Sequence, residues 1–170
     1  MHSALAIANE FLEIAEGENV GLSPMKLQKL VFLAHGWHLA IHKAPLVREG
    51  VEAWQWGPVI SDLFHEVKEF GRESIRGRIT DLGLLDPDEV DLYDAEIYRI
   101  PAYDTKTTGF LKEVWDVYRE FTGIQLANWL HVKGSPWYQV WNQKGGVGLI
   151  EVISDDIIKE YYERYPQGQD

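Results

Sequence analysis

The stretch SPMKLQKLVFLAHGWHLAIHK, residues 23–43, decides the fold. Ser23 is an N-cap residue type, and Pro24 sits where a helix tolerates a missing N–H. On a helical wheel Leu27, Val31, Ala34, His38 and Ile41 share one face, while Phe32, Leu33 and Leu39 lie on the other side. A helix apolar almost all round has to be enclosed by the rest of its domain. The pattern therefore predicts a central hub helix over 23–43.

Upstream, SALAIANEFLEIAEG repeats apolar residues at helical spacing between a Ser3 cap and Gly17. Downstream, VEAWQW alternates and predicts a short strand over 51–56, with Trp54 and Trp56 on one face. Gly57-Pro58 is expected to break that strand and start a third helix, PVISDLFHEVKEFG, closed by Gly71. Residues 72–106 are interrupted by Gly and Pro, and from Asp81 to Glu96 carry seven acidic residues and no basic one. That composition predicts an acidic irregular insertion or loop holding one or two short strands, such as EIYRI. TGFLKEVWDVYREF, IQLANWLHVKG and PWYQVW continue as helices; GGVGLIEVI reads as a loop entering a strand, and Ser154 caps DDIIKEYYERY. The expected class is α+β and mainly α-helical: a single domain over 1–170, with the hub wrapped by other helices. Its small β-sheet draws on 51–56, part of 76–100 and 147–153, and the tail 166–170 is expected to fray.

At 170 residues one core suffices, since folding buries roughly 70% of the unfolded chain's surface. The absence of cysteine excludes disulfides and thiolate zinc sites and suits a reducing compartment. Glu10, Glu13 and Glu16 interrupt the first apolar pattern, unlike a signal peptide, and no run approaches the roughly 20 apolar residues of a membrane span. These features predict a cytoplasmic protein without membrane contact. The formal charge of −11 repels phosphate backbones, so direct nucleic-acid binding is not expected. An acidic surface confers solubility and attracts basic partners.

Catalytic constellations are not readable. His35, His38 and His42 project from neighbouring faces of the hub, but no HExxH glutamate lies among them and His65 falls on another helix. Ser61 has no nucleophile-elbow context, and GGVG lacks the Lys-Ser or Lys-Thr of a phosphate loop. The chain is read as a non-enzyme with no catalytic residues, no metal ligands and no cofactor. A hydrolase or metal enzyme using the histidines is kept as an alternative.

KLQKLVFLAHGWHL (26–39), EAWQWGPVISDLFHEVKEFG (52–71) and LHVKGSPW (130–137) together resemble the Panacea antitoxin domain, the SocA-like or GepA-like group of small, often phage-associated proteins. The family's pattern runs from a Lys-Leu-Gln-Lys-Leu helix through an Ala-Trp-x-x-Gly-Pro-Val turn to a Thr-His and a Ser-Pro-Trp step. Leu130-His131 stands here where the family commonly shows Thr-His. The resemblance implies an antitoxin of a type II-like toxin–antitoxin system, acting in phage defence. It neutralises a cognate toxin, encoded by the adjacent gene, through direct protein–protein interaction. It also implies an alternative, a proteolytic adaptor that delivers the toxin to a AAA+ protease.

The candidate partner-binding residues are Trp54, Trp56, His131 and Trp137, with Asp86, Asp88, Glu89 and Asp91 as an electrostatic contact. Each has a plainer reading: a tryptophan docking a strand end into the core, a histidine bonded inside it, a solvated acidic face.

Overall fold

The computed structural model describes residues 1–143 and 150–164. Among them the chain forms eight α-helices, a three-stranded sheet and a two-stranded sheet, the mainly helical α+β class the pattern predicts. Helices α1 (Ala4–Gly17) and α2 (Pro24–His42) precede strands β1 (Val51–Trp54) and β2 (Gly57–Val59) and helix α3 (Ser61–Val67). A second hairpin, β3 (Arg78–Thr80) and β4 (Gly83–Leu85), leads into α4 (Pro87–Leu92). Then come α5 (Thr105–Tyr118), α6 (Gly123–Leu130), α7 (Pro136–Gln143), β5 (Glu151–Ile153) and α8 (Asp155–Arg164).

Helix α2 is the hub. Ser23 Oγ accepts from the Lys26 N–H, and every residue from Lys26 to Trp37 is buried. Enclosure on all sides explains why this run includes polar residues, each of which finds a partner as burial demands. The Gln28 amide clamps Ile60, donating to its carbonyl (2.9 Å) and accepting from its N–H (3.1 Å). Lys29 Nζ donates to the Pro58 carbonyl (2.9 Å), and Lys26 Nζ donates to that of Arg119. The wheel misplaces the far end of this helix: His38 lies at its rim and Ile41 is 56% exposed, because the last turn projects past its neighbours. His35 is the buried histidine instead. Its Nδ1 accepts from the Val47 N–H (3.4 Å), which leaves Nε2–H to donate to Asp155 on α8 (3.0 Å).

Helix α8 packs along α2 at Gly36, where a Cβ would lie 2.4 Å from the Tyr162 ring. Glycine inside the hub is thus the condition for this close approach. The α1 helix repeats the amide device: Asn9 accepts from the Ile79 N–H (2.9 Å) and donates to the Ile79 and Tyr98 carbonyls (2.8 and 2.9 Å). It thereby ties β3 and the 97–100 segment to the core.

The tryptophan stretch departs from expectation. The chain reverses at Gln55-Trp56, and Gly57-Pro58 forms β2, paired antiparallel to β1 with Ala53 opposite Pro58 and Trp54 opposite Gly57. Helix α3 begins only at Ser61. A Gly-Pro step serves either a helix start or this hairpin. Gly57 adopts φ +106° leaving the turn, and β2 is an edge strand, where proline's absent N–H leaves no ladder bond unmade. Strand alternation therefore ends at Trp54, and the two tryptophans do not share a face. The predicted single sheet is also two: 51–54 pairs with 57–59 and 151–153, whereas 78–80 pairs separately with 83–85. The acidic stretch is more ordered than a loop, since it contains β4 and the six-residue α4. The expected strand residues 147–149 and the tail 166–170 lie outside the described residues.

Candidate functional site: an aromatic groove beside the hub

The β1–β2 turn hangs over a groove of about 600 Å³ between the start of α2, α6 and α7. Its aromatic wall is built by a local sequence device. Ser135 is fully buried, donates to the Leu130 carbonyl (2.7 Å) and accepts from the Tyr138 N–H (3.1 Å), so it stops α6 and caps α7 together. Pro136 takes the first helical position. Trp137 and Trp141, one turn apart, then project together and stack at 5.5 Å with 16° between planes.

Trp137 belongs to both core and groove. It is 8% exposed, and its indole N–H donates to the Trp54 carbonyl (2.7 Å), pinning the hairpin onto α7. Trp54 is half-buried on the Glu52 side of β1, its ring 4.9 Å from Phe64 and its N–H donating to Glu52 (2.7 Å). Trp56 is 68% exposed at the turn and lines the groove opposite. His131, the C-cap of α6, forms the floor with its ring 4.2 Å from Trp137. Met25 and Ile124 complete an apolar mouth in which the eleven lining residues include no Asp, Glu, Lys or Arg.

Four of the predicted binding residues thus meet here: Trp56, His131 and Trp137 in the groove, with Trp54 bonded behind it. The four acidic ones do not. Asp86, Asp88, Glu89 and Asp91 are exposed on and before α4, and Asp86 lines a different depression of about 360 Å³ beside Arg76 and Arg78. Glu89 reaches back to accept from the Asp86 N–H (3.1 Å), a helix-capping task.

Lys29 and Trp141 were not among the sequence candidates. The PWYQVW spacing carried the signal for Trp141, four residues after Trp137. Lys29 shows in sequence only as a lysine inside a helix apolar on every side.

Among the described residues, no group of three His, Asp or Glu side chains is placed to hold a metal ion. His38 and His42 pair with each other and with Phe110, while His35 faces Asp155. No helix among the described residues is long and apolar enough to cross a membrane.

A family model described as "Antitoxin SocA-like, Panacea domain" matches residues 27–138, from the hub helix into α7. The chain belongs to this family. It is also similar to antitoxin SocA of Caulobacter vibrioides (strain NA1000 / CB15N), at 29% identity over 160 residues, covering 94% of this chain and 81% of that protein. No solved structure matches it. Membership of the SocA-like Panacea family supports an antitoxin role and, with it, a toxin as partner. It favours binding over catalysis. The matched span carries the groove's central features: the inner hub, the hairpin, α6 and the Ser-Pro-Trp step.

Proposed function

We propose that this Panacea-family chain is an antitoxin of a type II-like system, neutralising a cognate toxin by direct contact through the aromatic groove. The observation that carries the reading is Trp56: a large aromatic, 68% exposed, on a two-residue turn whose flanks are hydrogen-bonded to α7 and α2. Exposed aromatics on rigid backbone anchor protein interfaces because little conformational entropy remains to be lost on binding. Acid-free groove walls in a chain of charge −11 present an apolar docking surface within a solubilising shell.

The test is co-expression with the adjacent open reading frame. That gene is expected to arrest growth alone and to be neutralised by this chain, and the purified proteins are expected to form a complex that Trp56→Ser weakens. An adjacent gene that is harmless alone, or neutralisation without complex formation, overturns the reading. Toxin half-life in the same cells separates direct inhibition, which leaves it unchanged, from delivery to a AAA+ protease, which shortens it.

A further inference from the structure

A chain with formal charge −11 places a lysine, 2% exposed, directly behind its aromatic groove. Lys29 Nζ is held by the Pro58 carbonyl (2.9 Å), and burial draws its pKa down to about 7. In front of it stands His131, whose Nε2 is buried without a hydrogen-bond partner. A Cβ on Gly57 would lie 2.8 Å from Lys29 Nζ and 3.1 Å from His131 Nε2, so both nitrogens border the same small space over that glycine. While Lys29 is protonated, below its pKa, it donates and does not accept, so the imidazole keeps its lone pair on Nε2, toward Lys29, and its proton on Nδ1. Burial first, and the Lys29 charge second, hold His131 below the ordinary histidine pKa and therefore neutral.

Only Nε2 of this ring is a buried nitrogen without a partner, and His131 lines the groove, which leaves Nδ1 as the nitrogen for a groove ligand. The helix end beneath does not crowd it with bare carbonyls. Ser135 covers the Leu130 carbonyl, and the His131 N–H bonds those of Ala127 and Asn128. Below the Lys29 pKa the groove thus offers an oriented N–H donor, backed by a buried cation, between apolar walls and with no acidic residue in its lining. A carboxylate is the acceptor that gains most there, since a charged acceptor strengthens the hydrogen bond and the water-poor floor strengthens the attraction.

We propose that the groove reads an acidic side chain of its protein partner: an aspartate or glutamate flanked by apolar residues. Its carboxylate accepts from His131 Nδ1–H while its neighbours lie against Trp56 and Trp137. Lys29 is a positioning residue, fixing the tautomer and supplying the field without touching the ligand. The identity of the partner as a toxin rests on the antitoxin reading; the chemistry of the site does not.

The test uses two end-blocked tripeptides, acetyl-Leu-Glu-Leu-amide and acetyl-Leu-Gln-Leu-amide, titrated into the full chain by NMR at a pH below the Lys29 pKa. The glutamate peptide is expected to bind about tenfold tighter and to shift the His131 ring and the Trp56 indole. Lys29→Met is expected to bring the two affinities within about twofold, with the Trp137 indole N–H signal reporting an intact hairpin. His131→Phe, which keeps packing against Trp137 and removes the donor, is expected to do the same, and stands in if the lysine variant fails to fold. Equal binding of the two peptides, shifts away from the groove, or a preference surviving His131→Phe overturns the proposal. So does tighter binding of the glutamine peptide with a free C-terminal carboxylate than of the blocked glutamate peptide. Loss of toxin binding in Trp56→Ser without peptide discrimination sinks this site and leaves the antitoxin reading standing. Peptide discrimination with toxin binding indifferent to Trp56 keeps this site and places the toxin contact elsewhere on the chain.

Discussion

The turn at Gln55-Trp56 and the N-cap of α4 at Asp86 both carry residue types that bind partners, yet their side chains are differently engaged. Around Asp86 two carboxylates serve the chain itself. Glu89 caps the Asp86 N–H, and Asp81 accepts from the Glu96 N–H (2.8 Å), closing the acidic segment on its own backbone. At Gln55-Trp56 the backbone is pinned by Trp137 and Lys29, while the Trp56 ring is left to solvent and the His131 donor opens to the groove. A polar group already satisfied gains little from a partner, whereas an open aromatic on fixed backbone gains a good deal. The contrast supports the proposed groove contact over the acidic stretch, for which the proposal keeps a screening-sensitive, secondary part in association.

Substitutions at the hairpin break this contrast most strongly. Trp137→Ala removes a buried indole, its bond to Trp54 and its stack on Trp141, and is expected to cost about 3–5 kcal/mol of stability in chemical denaturation. Binding falls with it, because the groove loses a wall. Trp56→Ser separates the two effects. Stability is expected to change by less than about 0.5 kcal/mol at this exposed position, while toxin affinity falls by about 2 kcal/mol, some thirtyfold. Equal losses in folding and binding at Trp56 would show that the turn is part of the core after all.

The Lys29 burial gives a pH signature on the groove side alone. Its folded pKa of about 7 lies below the unfolded 10.5, so the unfolded chain binds more protons between those values. Its stabilising contribution is full above 10.5 and is lost as pH falls toward 7. Thermal unfolding of wild type against Lys29→Met should therefore move in favour of wild type as pH rises from 7 to 9. A constant difference contradicts the buried, carboxylate-free placement. The smallest effect is expected from Asp88→Asn with Asp91→Asn: stability within about 0.5 kcal/mol, and an association rate altered only severalfold, with the change vanishing at high salt.

What was legible in the sequence follows the range of the interactions. Caps and periodicity are local, so α1, α2 and α8 could be read from Ser3, Ser23 and Ser154 and the apolar spacing behind each. The hairpin was misread because Gly-Pro is compatible with two local structures, and the choice is made by Gln28 and Lys29, about thirty residues earlier in the chain. Nothing around Asn9 announces that its amide will complete a strand edge seventy residues away. The site behaves alike. Trp56, His131 and Trp137 could be named by residue type, but their meeting with one another and with Lys29 depends on α6 and α7 folding back over the start of the hub.

Amide hydrogen exchange on the chain alone and with its toxin tests the central claim most directly. Slowed exchange is expected at the 55–57 turn, in α6 and at the start of α7, with the amides of 81–96 unchanged. Protection confined to 81–96, with the groove exchanging as in the free protein, would contradict it.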